Sequence, residues 1–220
     1  TRTTIHSVSG IYVQGDDGKL ALQSGRDITL TGAQVIASGD NGKAQLVADR
    51  DLNLDTVTTA RSDSLVWDAD NTLSQSSLEH NGTTINGTGG VTLAAKNDIN
   101  AYGAAVKSDG TLALVAGQDV NIAGVLNENQ LDERHKVVGG NGWLSKTTKT
   151  TRDTVDKQTV QGSELSADTV KISAGNNLTV AGSSVVGTGN VGLRAGNDLT
   201  LTTMGGRNEE THLKQEKKSG

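Results

Sequence analysis

The chain has 220 residues, of which 28 are Gly and none is Pro, Cys or Phe, and its only aromatic side chains are Tyr12, Trp67, Tyr102 and Trp143. Gly at nearly twice its usual share of roughly 7%, beside so few rings, excludes a core built on large aromatics, and the missing Cys excludes disulfide scaffolds, thiolate metal sites and cysteine nucleophiles together. A net charge of −5, from 20 Lys and Arg against 25 Asp and Glu, offers no basic field for a phosphate backbone, so no nucleic-acid partner is expected.

The opening segment, Thr1 to Gly10, lacks the basic start and apolar run of a signal peptide. No run approaches the roughly 18 apolar residues of a membrane-spanning helix. The chain reads as a stretch of something longer.

In chain order, one heptad then returns again and again. It has a small residue, usually Gly next, any residue, Asp or Asn, and then apolar, polar, apolar. Its copies are SGRDITL (24–30), ADRDLNL (48–54), AKNDINA (95–101), AGQDVNI (116–122), AGNNLTV (174–180) and AGNDLTL (195–201). The spacing of Asp27 from Asp51, of Asp98 from Asp119 and of Asn177 from Asp198 groups them in three pairs, with a unit of 21 to 24 residues. Between the members of a pair lies a second motif, GAQVIASGDNGKAQLVA (32–48), GAAVKSDGTLALVA (103–116) or GSSVVGTGNVGLRA (182–195). Each repeat is therefore three short strands joined by Gly, Asn or Asp turns.

Strict alternation in Asp27-Ile28-Thr29-Leu30 and Asp198-Leu199-Thr200-Leu201 selects strand over helix. A unit this short cannot bury its apolar face alone, but stacked units bury a continuous interior. The predicted fold is all-β: a right-handed parallel β-helix in which each coil gives one strand to each of three sheets. Its narrow bore suits aliphatic side chains, its corners require Gly, Asn or Asp, and Pro would remove a donor from a doubly paired strand. With coils spaced roughly 4.8 Å apart, about seven coils give a rod on the order of 34 Å long.

Two polar stretches, 55–88 and 125–162, separate the pairs, and each carries a central turn signal, Gly139-Gly140-Asn141-Gly142 in the second. They are predicted to be hairpins that leave the solenoid and return. Residues 206–220 are predicted to begin a further hairpin of the same kind. The 220 residues thus form a single β-helical unit with extra-helical insertions.

The pair AGNNLTVAGSSVVGTGNVGLRAGNDLTL (174–201) followed by EETHLKQEKKSG (209–220) resembles the hemagglutinin repeats of two-partner-secreted exoproteins, found in filamentous hemagglutinin adhesins and in CdiA-type contact-dependent growth-inhibition toxins. The stretch DERHKVVGGNGWLSKTTKTTRDTVDKQTVQGSEL (132–165) is similar to the second repeat region of the CdiA-type proteins. The resemblance implies a secreted, cell-surface filament exported through a dedicated outer-membrane transporter. In the toxin branch it implies a shaft that helps a C-terminal toxin across the target-cell outer membrane. In the adhesin branch it implies a stalk that contacts glycans or another surface receptor.

No catalytic, cofactor-binding or metal-ligating residue is expected. The recurring Asp27, Asp51, Asp98, Asp119, Asn177 and Asp198 invite a Ca²⁺ reading, but turns that use the Asx side chain explain them, and calcium-binding β-rolls need a nine-residue period. The cluster Asp132-Glu133-Arg134-His135 alternates faces on a strand and cannot converge on one substrate. His6, His80 and His212 have no partner at nucleophile or metal spacing. The surface expected to meet a partner lies on the hairpins: Trp143 at a Gly-rich turn, flanked by Lys136, Lys146, Lys149 and Arg152, pairs a ring with positive charge, as sugar stacking, lipid head groups or a protein partner would require. Trp67 is assigned the same role. The alternative for both rings is to fold back and seal the side of the solenoid.

Overall fold

The computed structural model describes residues 1–140 and 145–219, and among these there is no helix. Six coils stack into a parallel β-helix. The first face is built from Gly10–Val13, Gln34–Ala37, Thr84–Gly87, Ala105–Ser108 and the starts of Glu164–Ala174 and Ser184–Ala195, paired in that order. The second face stacks Lys19–Ser24, Lys43–Ala48, Gly90–Ala95 and Thr111–Ala116 onto the second halves of the same two long strands. The third stacks Ile28–Thr31, the start of Leu52–Val66, Ile99–Tyr102, Val120–Ala123, Leu178–Ala181 and Leu199–Thr202. All these pairings are parallel, and the register is unbroken except between Glu164–Ala174 and Ser184–Ala195, where it shifts by one residue between Ala167 and Thr169. Six coils rather than about seven put the first and last roughly 24 Å apart.

The alternation seen in the sequence becomes burial. In Gly90–Ala95 the pattern is intermediate, buried, intermediate, buried through Ala95, and Leu46, Leu93, Leu114 and Ile172 meet down one lane with at most 2% exposure. The apolar side chains of the bore are all aliphatic, from Leu20 to Val180, joined among the described residues by the buried polar Thr83, Ser108 and Ser163, while Tyr12 and Trp67 are 51% and 56% exposed. Each fully buried Leu or Ile contributes about 1.5–3 kcal/mol.

The heptad's Asp or Asn does something the turn argument does not capture. Every one before Asp198, which belongs to the last coil, reaches to the next coil and accepts from the backbone N–H of its own equivalent there. Oδ1 of Asp27 accepts from Asp51 N–H (3.2 Å), Asp98 serves Asp119 (3.0 Å), Asp119 serves Asn177 (2.9 Å) and Asn177 serves Asp198 (3.3 Å). The ladder therefore ties coil to coil rather than one corner to itself. Two residues further on, Asn53, Asn100 and Asn121 form a second ladder through side-chain amides at 2.9 Å.

The hairpins leave from the corner after the third face. Leu52–Val66 is one unbroken strand: residues 52–55 pair within the solenoid, and 56–66 pair antiparallel with Thr72–Gly82. This first excursion is shorter than the 55–88 expected, because Thr84–Gly87 already pairs with the neighbouring coils. The second consists of Val125–Gly139 and Lys146–Gln161. Where the chain comes home, a buried hydroxyl mends the corner. Thr83 Oγ1 lies 2.8 and 2.9 Å from the carbonyl oxygens of Leu30 and Asp55, and Ser163 Oγ lies 3.0 and 2.9 Å from those of Ala101 and Ala123. Either hydroxyl donates to one of its two carbonyls, so re-entry leaves the corner hydrogen-bonded.

The hairpins do not stand apart. Thr72–Gly82 pairs with Val125–Gly139, and Lys146–Gln161 pairs with Arg207–Ser219, all antiparallel, while Arg2–Thr3 lies along the outer edge of Leu52–Val66. The result is one continuous outer sheet running beside the rod. Its growth matches that of the solenoid. Two coils rise about 9.6 Å, and one hairpin adds two strands, again about 9.6 Å. This equality explains why repeats come in pairs with one excursion between them.

Candidate interaction surface

Antiparallel register sets which residues share a face of the outer sheet. Lys136 faces Thr150 across the strand pair, and Lys149 faces Val137. By alternation, Lys136, Lys146 and Arg152 lie on one face and Lys149 on the other. The cations grouped by sequence are thus divided between two sides. The consecutive Asp132, Glu133, Arg134 and His135 divide in the same way, with Glu133 Oε1 2.6 Å from His135 Nε2 on one face and Asp132 and Arg134 on the other. Trp143 lies outside the described residues.

Trp67 sits in the first hairpin's turn, which is built by Asp68. The Asp68 carboxylate accepts from the Asn71 side-chain amide (2.9 and 2.8 Å) and from the backbone N–H groups of Asp70 and Asn71, both at 2.8 Å, and these bonds, the side-chain amide foremost, hold its pKa below the ordinary carboxylate value. The turn docks on the second hairpin. Asn71 Oδ1 accepts from Lys136 N–H (2.7 Å), Asp70 Oδ2 accepts from Lys136 Nζ (2.7 Å) with Arg134 at 3.7 Å, and the Trp67 ring lies 5.9 Å from that of His135, tilted by 33°. The ring therefore packs on a neighbouring hairpin and stays half open to solvent. Sequence reading passed over Asp70 and placed Arg134 only in the cluster 132–135, without this contact. Their sequence positions give no sign of the contact, because it joins residues more than sixty apart.

Diagonal ion pairs lock the strands laterally. Arg152 makes a two-point contact with Asp132 (3.0 and 2.7 Å), lowering the pKa of that carboxyl, and Arg207 pairs with Asp156. His212 Nδ1 lies 2.8 Å from Asp153 Oδ1 and its Nε2 lies 3.8 Å from Glu210 Oε2, and the hydrogen bond to Asp153 raises the imidazole pKa above its ordinary 6.5. A raised folded-state pKa means that the contribution is complete below 6.5 and is lost as pH rises through the folded value. Protection of Arg207–Ser219 amides, measured by hydrogen exchange corrected for intrinsic rates, is expected to be modestly greater at pH 5.5 than at pH 8. In Asp153→Asn this dependence should shrink, because Glu210 still raises the imidazole pKa, and its persistence in His212→Gln would remove His212 as the cause.

Among the described residues, no group of three or more His, Cys, Asp or Glu is placed to hold a metal ion.

A family profile described as hemagglutinin repeat matches residues 2–65 and 67–220. The chain is 35% identical over 144 residues to the 16S rRNA endonuclease CdiA of Enterobacter cloacae, covering 66% of this chain and 4% of that protein. It is 28% identical over 223 residues to the tRNA nuclease CdiA-2 of Burkholderia pseudomallei, covering 99% of this chain and 7% of that one. Against the deoxyribonuclease CdiA of Dickeya dadantii the identity is 35% over 171 residues, 76% of this chain and 5% of that one. The chain thus spans only a small fraction of the length of these relatives. No solved structure matches it.

Proposed function

Because the chain belongs to the hemagglutinin-repeat family, we propose that it is a segment of the shaft of a large secreted exoprotein, non-enzymatic in itself, that helps carry a C-terminal toxin across the outer membrane of a target cell. The observation that carries this reading is the matched growth of rod and outer sheet. A two-coil, one-hairpin period can be continued indefinitely without strain, which is what a long shaft needs and what a compact enzyme does not. On this reading the partners are an outer-membrane two-partner-secretion transporter during export, the adjacent coils of the parent protein, and the target cell's outer membrane or a receptor on it. Completion of hydrogen bonds as each coil docks on the last would favour outward movement through such a transporter.

The test is to excise this segment from the parent protein in whole two-coil units. Surface attachment to target cells should persist while toxin entry is lost, and undiminished killing would overturn the delivery role. The half-exposed Trp67, on a turn whose Asp70 binds Lys136, favours a second reading, a stalk of the adhesin type that binds surface glycans. It requires retention of the chain on a glycan array that falls with Trp67→Ala.

A further inference from the structure

The net charge of −5 conceals a strong segregation along the outer sheet. Its strands can be divided at one row of register partners, Leu65, Leu73, Glu133, Asp153 and His212. From the solenoid up to and including that row, the four hairpin arms and 207–212 carry three Lys or Arg against nine carboxylates. Beyond it, residues 66–72, 134–139, 146–152 and 213–219 carry eight cations, among them Arg134, Lys149 and Lys217, against Asp68, Asp70 and Glu216. The base is therefore net −6 and the tip net +5. The two centres lie about seven residues apart along the strands, roughly 23 Å. That is well beyond the ~8 Å screening length at physiological salt. A partner at the tips feels the positive charge, not the chain's total.

The tips also concentrate exposed apolar surface. Val66, Trp67, Val137, Val138 and Leu213 are 51–66% exposed, and they lie among the cations rather than on a separate patch. Apolar side chains projecting through a cationic rim, with an indole among them, have the chemistry of the boundary between head groups and acyl chains. A free polyanion would use the charge and leave the valines and leucine unexplained.

We propose that the distal edge of the outer sheet seats on an anionic lipid surface. Its lysines and arginines meet phosphate-bearing head groups, and Trp67, Val137, Val138 and Leu213 enter the interface. The rod then lies alongside the membrane and is held off it by the length of the hairpins. The inference rests on the delivery reading only for the choice of bacterial lipids. Failure to bind vesicles would leave the shaft role standing, whereas undiminished killing after excision would leave the lipid affinity standing.

The test is co-flotation of the full 220-residue chain with vesicles of phosphatidylethanolamine and phosphatidylglycerol, against vesicles of phosphatidylcholine alone, at 50 and 300 mM salt. Binding is expected to the anionic vesicles and to fall with salt. Changing Lys146, Lys149, Lys214 and Lys217 to Gln together removes no ion pair seen in the structure and should lower partitioning at least about 50-fold. Val137→Ser with Val138→Ser should lower it about tenfold. Four solenoid cations, Lys19, Lys43, Lys171 and Arg194, changed to Gln should leave it nearly unaltered. No binding, equal binding to neutral vesicles, equal loss in the solenoid variant, or retention on immobilised heparin without flotation would each overturn the proposal.

Discussion

Leu114→Asp is expected to unfold the middle of the rod while its first coil stays folded. Leu114 is 0% exposed and lies between Leu93 and Ile172. Truncation to Ala alone costs about 2–5 kcal/mol. A carboxylate in that dry lane has no cation to meet and adds several kcal/mol more. Because each coil touches only its neighbours, the damage should stay local at first. Amides of Gly90–Ala95, Thr111–Ala116 and 169–174 should lose hydrogen-exchange protection, while Lys19–Ser24 keeps much of its own. An unfolding midpoint in urea equal to that of the parent chain would show that the bore is not the main source of stability.

The second large effect is expected at Gly82, the last paired residue of the first returning arm before the chain re-enters the solenoid. A Cβ there would fall closer than 3.0 Å to the carbonyl oxygen of Gly103, a backbone atom fixed on both sides by strand pairing. Gly82→Ala should therefore cost about 3 kcal/mol, because the arm must lift off the next corner and carry Thr83 away from the carbonyls it serves. Gly192, in the last coil, has nothing within 4 Å of an added Cβ, and Gly192→Ala should leave the urea midpoint unchanged. Equal effects at the two positions would mean that glycine's backbone entropy, not the close approach, governs both.

The coils were legible in the sequence because what defines them is local. Ile28 and Leu30, or Val120 and Ile122, show their inward face within four residues, and the Asp or Asn before them marks the corner. The arrangement of the hairpins was not legible. Ser62, Ser76, Gln130 and Asp156 share one row across four strands, yet both faces of that sheet meet solvent. No apolar alternation records the register, and two-sided polar strands specify it weakly. The register is set instead at the base, where the solenoid dictates where each arm starts, and by pairs such as Arg152 with Asp132. The Asp ladder was read as a set of independent turns because its partner is 21 or more residues distant. The cations of the second hairpin formed one group by proximity in sequence, and alternation assigns Lys149 to the far side from Lys136, Lys146 and Arg152.

The match between two coils and one hairpin makes length in this architecture quantised. A single extra coil would raise the next excursion by one strand spacing rather than two, so its outgoing arm would meet the preceding arm out of step, with one edge unpaired. Loss of a single coil would crowd two arms into one lane. Only whole units of two coils and a hairpin can be gained or lost without a fault in the outer sheet. Recombination between repeats is therefore filtered by geometry, and a shaft of this kind lengthens or shortens in steps of about 9.6 Å.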